Sequence, residues 1–329
     1  MPTSKDVAIL AGVSPATVSR VFRGETIVAE TTRKKVMEAA RQLNYTPSHA
    51  ASILKKNNNR TVAFLDPDPQ NPFYIQMISK IGEILEKDYD MAVLMAPNTN
   101  YNKRLLTTIR TFLSYRVECI VFSPIPGTDD KTIPRLNELF EAEQNCKFLQ
   151  LHCLQYPQVD AIYYNDVVGM EMVTTYLLER GHRRILIVSD DCKRIVGCND
   201  AYRKAGIDTP EIPVEPLNFA MSTDQLAEYI HELHPTAIIS VAEMFSLKTY
   251  SALTKLKYRI PDDISLIVFD DTAWTRAMDI TVVTHSEEEV IQSAVEAITS
   301  MIDGQHTQVE HKIVLPMLVE RSSVKTLTS

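Results

Sequence analysis

The chain has 329 residues, is 45% hydrophobic, and carries a formal charge of -8 at neutral pH, so it is long enough for a small module plus a large core that splits into two lobes. No apolar run nears the roughly 18 residues that a membrane span needs, and Met1 is followed at once by polar residues, which reads as a cytoplasmic chain without membrane association. The charge is divided: the first 60 residues hold ten Lys and Arg against four Asp and Glu, leaving 24 against 38 in the rest, the balance of a head that meets phosphates and a body that avoids them.

In chain order, Thr3-Ser4-Lys5-Asp6 reads as a helix start, because a Thr hydroxyl can cap the Asp6 amide while the carboxylate reaches back. Val7, Ala8 and Leu10 supply that helix's apolar face, and Gly12 the turn after it. Ser14-Pro15 opens a second helix, with Ser as the cap and Pro at the first position, where no amide donor is needed. Val18 and Val21 are three apart and pack inward, leaving Pro15, Ala16, Thr17, Ser19 and Arg20 outward. This is a helix-turn-helix whose outer face suits DNA. Arg20 can donate two parallel hydrogen bonds to a guanine, Thr17 and Ser19 can hold phosphates, and Pro15 and Ala16 can touch a thymine methyl. The bland alternative is a surface helix with one solvated arginine. A third helix is expected from about Thr31 to Asn44, with Val36, Ala39, Ala40 and Leu43 inward and Arg33, Lys34, Lys35 and Arg41 on the other face. Pro47 stops it. The stretch Ala50 to Lys56 has room for one or two more turns, too short to persist unless bound or paired.

These residues carry a resemblance. Asp6-Val7-Ala8, Ala11-Gly12-Val13-Ser14, Ala16-Thr17-Val18-Ser19-Arg20-Val21, Thr32-Arg33, Val36 and Tyr45-Thr46-Pro47 resemble the headpiece of the lactose/galactose repressor (LacI/GalR) family. The resemblance implies that the second helix enters the major groove and that Leu54 wedges into the minor groove at the operator centre. The expected DNA-contacting set is Thr3, Ser14, Pro15, Ala16, Thr17, Ser19, Arg20, Arg23, Leu54 and Lys55. Arg23 stands where the family usually has Asn, and Ser52 replaces the common hinge Arg.

From Thr61 short apolar runs alternate with amphipathic helices: Val62 to Leu65, Cys119 to Phe122, Ile185 to Val188, Ala237 to Ile239 and Leu266 to Phe269, with Phe73 to Lys87 the first helix. Alternation of this kind implies two doubly wound parallel sheets with ligands at the strands' carboxyl ends, in the cleft between lobes. The resemblance continues through Asn71-Pro72-Phe73-Tyr74, Gly181-His182-Arg183-Arg184-Ile185, Pro261 to Leu266, Phe269-Asp270-Asp271 and Glu320 to Ser323, and makes the body similar to a periplasmic binding protein. It implies that Arg194 grips an effector and that Asp270 accepts hydrogen bonds there. Tyr74 or Trp274 could stack on a sugar or base face, and Glu243 completes the expected effector-binding set. Trp274 could equally be packing. His182 reads as structural, with Gly181 as a helix cap. The family's usual Asn-Asp gives way to Val241-Ala242, Cys198 replaces a Phe, and Asn165-Asp166 stands where Asp-Asn is customary.

Ser286-Glu287-Glu288-Glu289 opens a last helix with a capping box, and Val290, Ile291, Ala294, Val295, Ile298 and Met301 form its apolar face; by analogy it returns to the first lobe. The five cysteines, Cys119, Cys146, Cys153, Cys192 and Cys198, show no metal-ligand spacing and fit a reducing compartment. No catalytic motif, metal or cofactor is expected.

The expected organisation is therefore a helix-turn-helix head over 1–46, a hinge and linker over 47–59, and a body over 60–329, with one lobe from about 60–159 and 286–314 and the other from about 160–285 and 315–329. The chain ends without a heptad tail, so the expectation is a homodimer on a near-palindromic operator in double-stranded DNA, acting as a repressor and modulated by a small molecule, most simply a sugar or sugar derivative. The competing expectation keeps the DNA-binding head but makes the body an interaction or dimerisation scaffold with a degenerate cleft.

Overall fold

The computed structural model describes residues 2–22, 28–45, 60–66, 72–97, 101–124, 132–189, 192–217 and 221–327, and the chain divides into two compact units, Met1–Asn59 and Arg60–Ser329. Arg23, Ser52, Leu54, Lys55 and the expected hinge helix lie outside the described residues.

In the first unit, α1 (Ser4–Ala11) begins with the expected box: Thr3 Oγ1 accepts from the Asp6 amide and the Asp6 carboxylate accepts from the Thr3 amide at 2.7 Å. Gly12 ends it in the left-handed region, at φ 66°, where a Cβ would be strained. α2 (Pro15–Phe22) starts on Ser14, whose hydroxyl accepts from the Thr17 amide at 3.1 Å. α3 runs Glu30–Gln42, and the chain then turns through Asn44 at positive φ. Val7, Ala8, Val18, Val21, Val36, Ala39 and Ala40 form the core. Leu10 is not part of it: the residue is 50% exposed, and Ala11, which follows Val7 by four and Ala8 by three, packs there instead.

The second unit has two sheets. Strands β1 (Thr61–Asp66), β2 (Ala92–Pro97), β3 (Cys119–Phe122), β4 (Lys147–His152), β5 (Asp160–Tyr164) and β10 (His311–Val314) form the first, in the order β10-β5-β4-β3-β1-β2 and parallel throughout. The second runs β11-β9-β8-β7-β6, from β6 (Ile185–Val188), β7 (Ala237–Ser240), β8 (Ser265–Phe269), β9 (Thr281–His285) and β11 (Pro316–Val319), with only the β11 edge antiparallel. β3, β6, β7 and β8 are buried along their whole length, which explains their unbroken apolar sequences: helices cover both faces.

On the first sheet, α4 (Pro72–Tyr89) and α12 (Glu287–Ile302) share one core, where Ile81 and Leu85 meet Val290, Ala294 and Ile298; α5 (Tyr101–Ser114) and α6 (Thr132–Ala142) cover the other face. On the second sheet, α7 (Asp166–Glu179) and α8 (Cys192–Lys204) cover one face, and α9 (Thr223–Leu233) and α10 (Glu243–Lys255) the other; α11 (Ala273–Ala277) is a short turn of helix after β8. α12 thus packs on the first lobe's sheet. Its capping box is only half formed: Ser286 accepts from the Glu289 amide, but the Glu289 carboxylate lies 3.6 Å from Lys312 of β10.

The lobe boundary falls later than expected. β5 pairs with β4 and β10, so 160–164 belong to the first lobe, and the chain crosses between lobes at 164–166, 285–287 and 314–316. Gly197 governs how α7 and α8 meet, since a Cβ there would stand 2.1 Å from the Val167 carbonyl oxygen and 2.9 Å from the Glu171 amide nitrogen.

Candidate functional site

On the head, Thr3, Ser14, Pro15, Ala16 and Arg20 are exposed and Thr17 and Ser19 half-buried, so these expected residues share the outward side of the α1 start and α2. No acidic residue lies in the first turn of α2, which leaves the positive end of its dipole open to an anion. Ser14 Oγ and Thr17 Oγ1 are 2.9 Å apart. Arg33 departs from the reading: it turns inward and donates to the Val21 carbonyl at 3.3 Å, tying α3 to the end of α2. Lys34, Lys35 and Arg41 do face outward.

In the body, residues converge where strands end and lobes meet. Tyr164, the last residue of β5, stacks on His285, the last of β9, with ring centroids 3.9 Å apart and planes at 11°. His152, which ends β4, lies 5.2 Å from Tyr164 and 4.8 Å from Tyr74 of α4. A column of four rings thus joins the lobes. His152 Nδ1 is 2.7 Å from Ser123 Oγ and Nε2 is 3.4 Å from Met77 Sδ. Burial pushes His152 down to about 3 and His285 down to about 4, in the first case with His285 adding and in the second with Asp166 opposing, so both rings are neutral at pH 7. Burial likewise keeps the Tyr164 phenol protonated.

Arg194 of α8 gives both Nε and Nη2 to Asp166 Oδ2 of α7, at 2.9 and 2.8 Å, with its guanidinium 5.5 Å from the Phe269 ring centroid. Asp270 follows β8. Burial raises it to about 6, Arg194 opposing and Asp166 and Glu243 adding to the rise. Three residues at strand ends here, His152, Ala242 and Asp270, sit at φ 70°, 69° and 73°. Each such non-glycine conformation costs roughly 1–3 kcal/mol and persists only where the surroundings hold it, as at binding sites. Glu243 opens α10 beside Ala242, which has no side-chain cap to offer.

Residues 3–48 match the family model described as bacterial regulatory proteins, lacI family, and residues 174–324 that of a periplasmic binding protein-like domain. The HTH-type transcriptional repressor PurR of Vibrio atlanticus (strain LGP32) is 31% identical, over 99% of this chain and 100% of its own. The chain belongs to the LacI family. The ribose operon repressor of Escherichia coli (strain K12) is 26% identical over 98% of this LacI-family chain and 100% of its own length. A lac repressor dimer bound to operator and the anti-inducer ONPF, 22% identical, shares the fold with a TM-score of 0.79 over 98% of this chain and 99% of that one. Membership makes the chain a DNA-binding regulator of transcription and not an enzyme. Among the described residues, no helix is long and apolar enough to cross a membrane.

Of the effector residues expected in this LacI-family cleft, Tyr74, Arg194, Glu243 and Asp270 are tied to the cluster by ring contact or by charge. Trp274 is not: its ring meets Tyr250 edge-on at 5.9 Å and packs against the second lobe's core. His182 is fully buried, with Nδ1 2.9 Å from Thr236 Oγ1 and Nε2 3.0 Å from the Lys325 carbonyl, a structural tie as expected. Asp166, His152, Tyr164 and His285 were missed. Each closes a strand or opens the helix after one, a positional signal that the apolar runs already contained.

Proposed function

We propose that this LacI-family member is a cytoplasmic repressor that binds a near-palindromic operator as a dimer, with α2 in the major groove, and that a small molecule in the interlobe cleft modulates it. The outward face of α2 carries the DNA half of this reading. Pro15, Ala16 and Arg20 are exposed on it, with no acid in its first turn. Arg20 reads base edges, while Ser14, Thr17, Ser19 and Thr3 meet phosphates.

The effector half rests on the cleft's strained strand ends and on a ring column that spans both lobes. The relative named as the ribose operon repressor supports a sugar or sugar derivative as the ligand. One observation favours the competing scaffold reading: Ala242 presents no side-chain hydrogen-bonding group at the end of β7.

Selection from a random duplex library with the intact protein, followed by fluorescence anisotropy on the enriched site, tests the first half. A two-fold site whose binding disappears without residues 1–60 is the expected result. Thermal unfolding against sugars, sugar phosphates, nucleobases and related metabolites tests the second, because a cleft ligand raises the midpoint by mass action.

A further inference from the structure

Three carboxylates stand around the cluster on the second lobe's strand ends, and their partners differ. Asp166 is held by two donors of Arg194, Nε and Nη2. Asp271 is held by Arg321 at 2.8 Å and by Arg276 at 3.3 Å. Asp270, adjacent to Asp271 in sequence, makes no side-chain hydrogen bond or ion pair among the described residues, although its backbone amide is fixed to the Val283 carbonyl at 2.8 Å. The groups that act on it electrostatically are Arg194 from α8, Asp166 from α7 and Glu243 from α10, one cation against two further anions, and that cation is already committed to Asp166.

A second, independent observation lies on the other side. His285 is 8% exposed and its Nε2 has no hydrogen-bond partner, nor has the buried Tyr164 hydroxyl stacked beside it. His285 lies two residues beyond Val283, whose carbonyl takes the Asp270 amide, and it stacks on Tyr164, so both unpartnered groups lie at the same strand ends as the unpaired carboxylate. Polar groups left unmade in this way are expensive unless a ligand completes them.

We propose that the cleft selects an organic cation, an amine or amidine protonated at neutral pH, which forms a charge-assisted pair with Asp270 and hydrogen-bonds His285 Nε2 and the Tyr164 hydroxyl. This rests on the cleft being an effector site. Charge decides the class. Among the described residues that act on Asp270, the one cation, Arg194, already holds Asp166 and the others are carboxylates, so an anionic ligand gains no unshared positive charge from them. A neutral hydroxyl satisfies the carboxylate's geometry but leaves its negative charge uncompensated, whereas a cation supplies both the hydrogen bond and the opposite charge. The same pairing would draw Asp270, raised to about 6 when alone, down into its ionised form, so cation binding near pH 6 releases a proton.

The test is thermal unfolding of the full chain against two matched sets, glucosamine, glucose and glucose 6-phosphate and galactosamine, galactose and galactose 1-phosphate, with the cations agmatine and putrescine and the neutral bases adenine and hypoxanthine run beside them. The expected result is that at least one amine raises the midpoint, at least tenfold more potently than its neutral or phosphorylated counterpart, and that Asp270→Asn removes the preference. Calorimetry of that amine at pH 6 in two buffers of different ionisation enthalpy needs no variant, and should show release of up to about half a proton per site. If neutral or phosphorylated compounds bind as well as amines or better, the cation proposal is overturned and the cleft remains an effector site. If no compound of any class shifts the midpoint, the proposal and the effector reading fall together.

Discussion

Asp270 combines a left-handed backbone with a carboxylate that has no ion-pair partner among the described residues, and both features have measurable consequences. Its folded pKa lies above the unfolded value of 3.8, so the fold favours the protonated form. Whatever stability that form contributes is complete below about pH 4 and is lost as pH rises through about 6. Asp270→Asn, which cannot ionise, should therefore raise the melting temperature above pH 6.5, by about 2 °C for an effect of order 1 kcal/mol after allowance for solvent screening, and should leave it unchanged at pH 4. A melting series from pH 4 to 8 on both proteins checks this. On the head, Arg20→Ala should weaken operator binding by about 1–3 kcal/mol and relax specificity at one position, as anisotropy against single-base operator variants would show. Residue roles were legible where they depend on local spacing, as with Thr3, Gly12, Ser14 and His182. They were hidden where a long side chain chooses between solvent and a distant partner. Arg33 shares its spacing with the solvated lysines beside it yet reaches back to Val21, and nothing near Asp166 in sequence announces Arg194.

Helix against helix, the tightest constraint near the site is Gly197, where α8 lies on the backbone of α7. Gly197→Ala would force those helices apart. The expected loss is about 1–3 kcal/mol in urea unfolding, together with weaker effector binding, because Arg194 and Asp166 sit one on each helix. The buried strands were legible because two covered faces demand continuous apolar runs, as in Ile185 to Val188. β10 was not, since His311-Lys312-Ile313 are exposed at a sheet edge and carry no such pattern. β5 was assigned to the wrong lobe for a related reason: which sheet a strand joins is settled by partners such as β10, roughly 150 residues away in the chain, and not by its own sequence.

At the scale of the whole chain, the separation of a basic head from an acidic body predicts that removing residues 1–60 abolishes operator binding while the remainder unfolds in a cooperative transition of its own, which gel shift and calorimetry on the shortened chain would establish. The chain divides into its two compact units at Asn59 and Arg60, which is where the cut is placed. Within the body, the chain passes three times between lobes, at 164–166, 285–287 and 314–316. One connection would allow the lobes to swivel in any direction, whereas three side by side leave bending about the line through them as the soft motion. Tyr164 and His285 belong to two of those passages, so their stacked rings lie at the fulcrum. A ligand wedged there acts with almost no leverage on its own contacts but with the full length of each lobe as its output arm. A fraction of an ångström at the rings becomes a displacement several times larger at the lobes' far ends.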